Sequence, residues 1–146
     1  MLDRIRGLIH GQATLSKDVH GEEASSELKL AVAIILLELA MGDEEFAVQE
    51  KLVVRNEISK AFGLNRLEAQ ELLDDASEYP PEMLSVTPWI KMVASKFSEA
   101  QRKEVFKLVW KVIRADGVVE RYEQALADSI AKEFGISDEE CMEFSK

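Results

Sequence analysis

The sequence predicts an all-α fold, a compact orthogonal bundle of about seven or eight helices, and three observations carry that prediction. Apolar residues recur at three- and four-residue spacing along most of the 146-residue chain. The three prolines and seven glycines fall between these periodic stretches rather than inside them. Strict apolar-polar alternation, the mark of a half-buried strand, is almost absent.

Taken in order, residues 1–11, MLDRIRGLIHG, place apolar side chains at helical spacing but are too short and too charged for a signal peptide or a membrane span. Residues 27–41, ELKLAVAIILLELAM, are apolar nearly all the way round, which predicts a helix buried on most sides at the centre of the domain. A second helix spans 45–62, with Phe46, Leu52, Val53, Ile58 and Phe62 as its apolar positions and Gly63 as a left-handed C-terminal cap. Asn65 and Glu68 form the pattern of a capping box for a third, ending near Tyr79 before Pro80 and Pro81. Thr87 as N-cap and Pro88 at the first helical position open a short helix to about Lys96. Ser98 with Gln101 opens the next, which reaches Ala115 with Val105, Leu108, Val109, Val112 and Ile113 inward and Trp110 at the edge of that face. A helix from Val119 to Phe134 closes at Gly135, and Ser137 with Glu140 caps a final short one.

A chain of this length buries a real core without staples. It reads as one domain over 1–146. Cys141 is the single cysteine, so neither an internal disulfide nor a thiolate zinc site can form, and a reducing cytoplasm is the expected setting. With 28 acidic against 18 basic residues the net charge is -10, which disfavours free nucleic acid and favours cations or basic protein partners.

An internal repeat is the most informative feature. Ala-Phe-Gly-Leu at 61–64 matches Glu-Phe-Gly-Ile at 133–136, and Asp43 to Glu50 matches Asp116 to Glu123, at offsets of 72 and 73. The units, about 27–79 and 98–146, each read as helix, acidic turn, helix, glycine cap and capped helix. Two copies are too few for a solenoid, so packing about an approximate twofold axis is expected.

Each unit carries an aspartate in the turn and, seven residues on, a glutamate in the first turn of the next helix. Helical side chains lean towards the N-terminus, so Glu50 and Glu123 point back over the turns that hold Asp43 and Asp116. Two readings follow. The carboxylates cap helices and complement their dipoles, or the four converge and repel unless a cation compensates them. An EF-hand is excluded, because no twelve-residue loop of alternating oxygen ligands is present.

The stretches ELAMGDEEFAVQE at 38–50, KAFGL at 60–64, LEAQELL at 67–73, KFSEAQRKEVFKLVWKVIRADGVVERYE at 96–123 and KEFGIS at 132–137 together resemble the TerB-like tellurite-resistance family. That family is an all-helical module also found on the cytoplasmic side of a membrane-anchored J-domain co-chaperone. The resemblance implies a metal-binding protein whose ligands are Asp43, Glu50, Asp116 and Glu123. Oxygen-only donors make calcium or magnesium the expected ion rather than zinc. Two departures fall in the first unit, where Glu44 replaces the glycine seen at Gly117 and Ala47 stands where Glu120 does. The first half-site is therefore expected to be the weaker.

No nucleophile and base pair can be assembled, so no catalysis is expected. A metal-assisted hydrolase would need a pocket and a lid that the sequence does not show. His10 and His20 have no partner at a meaningful spacing and read as surface residues, and Met41, Met83 and Met92 read as core fillers. Lys103, Lys107, Lys111 and Arg114 form a cationic stripe that reads as an ordinary solvated face, open to pairing within or between molecules with the acidic stretch of Glu68, Glu71, Asp74, Asp75, Glu78 and Glu82. The alternative to a cation-binding module is thus a protein-interaction domain whose acidic and basic faces dock partners.

Overall fold

The computed structural model describes residues 15–40, 47–78, 86–115 and 121–145, with the backbone alone for 47–50. Among these residues lie seven helices: α1 (Ser26–Ala40), α2 (Ala47–Phe62), α3 (Arg66–Ser77), α4 (Thr87–Lys96), α5 (Glu99–Arg114), α6 (Arg121–Phe134) and α7 (Asp138–Ser145). The all-α prediction holds, and the β pairing among the described residues is one isolated bridge between Lys17 and Glu23. The helix expected over 1–11 lies outside the described residues.

Helix α1 is the axis of the bundle. Ser25 Oγ accepts from the Leu28 N–H and so caps its start, at 3.1 Å. From Leu28 to Ala40 its apolar side chains are almost entirely buried, because α2, α3, α4 and α5 all pack around it. Met41, expected at its end, lies outside the described residues.

In α2 the core positions are Val54, Ile58 and Phe62, spaced by four. Leu52 departs from the expected apolar face and is 44% exposed. It precedes Val54 by two residues, which turns it about 200° away from the buried stripe. Phe46 lies outside the described residues.

Both predicted glycine caps are found. Gly63 and Gly135 have φ of 65° and 71°, and after each the next N–H reaches back five residues, Leu64 to the Ser59 carbonyl at 3.0 Å and Ile136 to Ala131 at 2.9 Å. A capping arrangement follows each, Asn65 with Glu68 and Ser137 with Glu140. The two segments therefore share local structure as well as sequence. Their surroundings correspond in part: α1 packs on α2 and α3, and α5 packs on α6 and α7, whereas α4 has no counterpart.

Three expectations need correction. Helix α3 stops at Ser77, with Glu78 as its C-cap. Helix α4 begins one residue early: Val86 is the N-cap and Thr87 is already helical, so Pro88 occupies the second position, where its missing N–H still costs no intrahelical bond. Trp110 is buried at 3% exposure rather than lying at an edge. Helix α5 is embedded among α1, α2, α6 and α7, which widens its buried arc to include Gln101, Phe106 and Trp110.

A hook before α1 was not foreseen. Leu15 and Ala24 are buried, the Ala24 N–H bonds the Ser16 carbonyl at 2.8 Å, and Gly21 turns the chain at φ 79°. The hook is pinned to the bundle by Val19 N–H on the Lys96 carbonyl at 2.7 Å and by Gln101 Nε2 on the Lys17 carbonyl at 2.6 Å. Beside it Arg102 donates through Nε to the Phe134 carbonyl at 3.1 Å and through Nη1 to Ala94 and Phe97 carbonyls at 3.2 and 3.3 Å. One guanidinium thus closes the C-terminal ends of α4 and α6.

Leu36, fully buried, should lose about 2 to 5 kcal/mol on Leu36→Ala. Leu52→Ala should stay within about 1 kcal/mol. Chemical denaturation of the two variants checks this; equal losses would contradict the burial pattern. Gly135→Ala meets no atom within 4 Å, so its expected cost of about 1 to 2 kcal/mol is conformational alone.

Candidate functional site

Asp43 and Asp116 lie outside the described residues, as do Glu44, Gly117 and Glu120. Glu50 lies in α2 and Glu123 in α6, each within the first four described residues of its helix. The side chain of Glu50 is outside the description. That of Glu123 is buried, at 3% exposure, on the same helical stripe as Leu126, Ala127 and Ile130. It belongs there by register, since positions three, four and seven residues on share its face.

The end of α1 meets the start of α6 beside this residue. The Tyr122 hydroxyl donates to the Glu38 carboxylate across 84 residues of sequence. Partial burial, reinforced by the neighbouring carboxylate, pushes the Tyr122 phenol well above its ordinary range. In sequence α1 precedes Asp43 and α6 follows Asp116, so this bond joins the described helices that flank the two acidic stretches. Glu38 was not singled out in the sequence, although its place in a largely apolar helix was the available signal.

All four predicted ligands offer carboxylate oxygen alone. That donor set fits a hard divalent cation and would hold it without thiol or imidazole. Among the described residues no group of three or more His, Cys, Asp or Glu is placed to hold a metal.

The cationic stripe is found on α5, where its lysines pair with carboxylates at the surface. Lys103 bonds Glu140 at 2.6 Å and Glu99 at 3.3 Å, Lys107 bonds Glu104 at 3.1 Å, and Lys111 reaches Glu57 at 3.2 Å. The outer face of α5 adjoins α2 and α7, and these helices, rather than the acidic stretch from Glu68 onwards, supply the distant carboxylates. The Arg114 guanidinium lies 5.8 Å from the centre of the Trp110 ring.

The remaining candidates are quiet. His20 is exposed in the hook, its backbone N–H donating to Asp18 Oδ1 at 2.8 Å, and His10 lies outside the described residues. Burial, followed by nearby Asp138, Asp128 and Glu140, raises the Cys141 thiol above its ordinary value, which disfavours the reactive thiolate. Met92 packs partly buried against the core, while Met41 and Met83 lie outside the described residues.

Among the described residues the fold defines an all-helical module. The chain belongs to the TerB family: the family model described as "Tellurite resistance protein TerB" matches residues 29–146. No curated protein and no solved structure matches the chain. No helix among the described residues is long and apolar enough to cross a membrane.

Bonds from Lys103, then from the Ser137 backbone and hydroxyl, hold the Glu140 carboxyl below its ordinary value of 4.5. A depressed carboxyl favours the folded state above its ordinary value and loses that effect as pH falls through the lowered one. Carboxyl NMR titration should therefore place Glu140 below other exposed glutamates. Lys103→Met should move it back up; an unchanged titration would rule out the lysine as the leading cause.

Proposed function

We propose that this TerB-family chain is a non-enzymatic module that binds a divalent cation, calcium or magnesium in preference to zinc, through Asp43, Glu50, Asp116 and Glu123. Its setting is a cytoplasmic stress or tellurite-resistance response, the latter in keeping with the family. The observation that carries the reading is the hydrogen bond from Tyr122 to Glu38, which links the helix that precedes Asp43 with the helix that follows Asp116. Carboxylates brought close together repel one another, and a cation would offset that repulsion for all four groups at once. On this view the two units are duplicated half-sites about an approximate twofold axis, the second of them the stronger.

A second reading has its own observation. Glu123 lies in the first described turn of α6, where a carboxylate complements the helix dipole without any metal. The module is then a protein-interaction domain. Its basic face is a poor candidate for docking, because Lys103, Lys107 and Lys111 are paired within the molecule.

Calorimetric titration with calcium, magnesium and zinc, on wild type and Asp116→Asn side by side, separates the two. Binding predicts heats with wild type only and a stability gain of about 2.7 kcal/mol at a hundredfold excess over Kd. In metal-free buffer Asp116→Asn and Glu123→Gln should then leave stability unchanged or raise it by relieving repulsion. Capping predicts no heats and a loss of about 0.5 to 2 kcal/mol where a cap is removed.

A further inference from the structure

Away from the acidic turns, α1 and α3 leave an open groove of about 290 Å³ between them. Its floor is apolar, formed by Leu30, Leu64 and Leu72, all only partly buried by the rest of the core. Its rim is acidic. Glu27 stands on the α1 side, and Glu68, Glu71 and Asp75 line the α3 side, against a single rim cation, Lys29. An apolar trough between walls of one sign selects a ligand that carries apolar side chains along one face and opposite charge on both flanks.

The chain contains such a segment. At about 100° per residue, Leu2, Ile5, Leu8 and Ile9 of MLDRIRGLIHG fall on one helical face, while Arg4 and Arg6 fall roughly 100° to either side of it. The arginines would thus face opposite walls, and Asp3 is the lone acid. The tether also fits. The Ser16 carbonyl bonds the Ala24 N–H at 2.8 Å, which sets the described start of the chain beside the start of α1, and Ser26 and Glu27 line the groove there. Gln12 to Thr14 would span about 10 Å between segment and hook.

We propose that residues 1–11 dock as an amphipathic helix in the α1–α3 groove of their own chain, with Ile5 and its apolar neighbours on the leucine floor and Arg4 and Arg6 on the acidic rims. The inference uses none of the acidic-turn chemistry and stands or falls separately from it. Tethering holds the segment at a high effective concentration, so an intramolecular contact forms without strong intrinsic affinity.

Engineered cysteine pairs in the full-length Cys141→Ser protein test the docking. Leu8→Cys combined with Glu71→Cys should form an intramolecular disulfide about tenfold faster than Leu8→Cys combined with Met142→Cys on exposed α7, since docking raises effective concentration at one site only. Adding Arg4→Glu and Arg6→Glu should bring the first rate down to the second. In methyl NMR, deleting residues 1–11 should shift the signals of Leu30, Leu64 and Leu72, and a synthetic peptide of residues 1–14 should shift them back. Equal rates for the two cysteine pairs, disulfides that form between molecules instead of within one, or groove methyls indifferent to the deletion would each overturn the proposal.

Discussion

The burial of α1 is the constraint on which the rest of the fold depends. A helix that is apolar round almost its whole circumference cannot lie on a surface; it needs neighbours on every side. Helices α2, α3, α4 and α5 supply them, and each turns a narrower apolar stripe inward to do so. The consequence reaches the acidic turns. Because α1 is held rigidly from Leu28 to Ala40, its Glu38 has a fixed place, and that place is opposite Tyr122 at the opening of α6. The helices on either side of the two acidic stretches are therefore tied to one another from within the core.

Charge is organised by a different rule. With a net charge of -10 the molecule has few cations to spare, and those of α5 are spent on helix neighbours. Lys111 joins α5 to α2, Lys103 joins it to α7, and Arg102 serves carbonyls rather than carboxylates. Exposed pairs of this kind contribute little individually to stability. Their visible effect is distributive: the carboxylates around the α1–α3 groove have one lysine among them, so negative potential gathers on that side of the bundle.

Local punctuation was the legible part of the sequence. Gly63 and Gly135, the capping residues Asn65 and Ser137, and Ser98 with Gln101 could be read because each acts through partners a few residues away. The inward face of α5 was legible for the same reason, being a matter of period. Tertiary facts were not. The burial of Trp110 depends on how many helices surround α5, and the partners of Lys103 and Lys111 depend on which helices adjoin it. Neither is encoded in spacing. The hook at 15–25 is not legible because its bonds run to the Lys96 carbonyl of α4 and the Gln101 side chain of α5, which no periodicity reveals. For the site, the pattern placed Glu50 and Glu123 on helices, whereas Glu38 and Tyr122, 84 residues apart, could be joined only in three dimensions.

Arg102 illustrates how unequal two basic residues can be in the same helix. Its neighbour Lys103 meets two carboxylates at the surface, where another long cation could do likewise. Arg102 directs donors along two different edges of one plane, one towards Phe134 and the other towards Ala94 and Phe97. A lysine has no such fork, since its three donors radiate from a single atom. Exchange at 103 is a matter of electrostatics and exchange at 102 a matter of shape, so sequence drift that keeps only the charge would preserve the first residue's role and forfeit the second's.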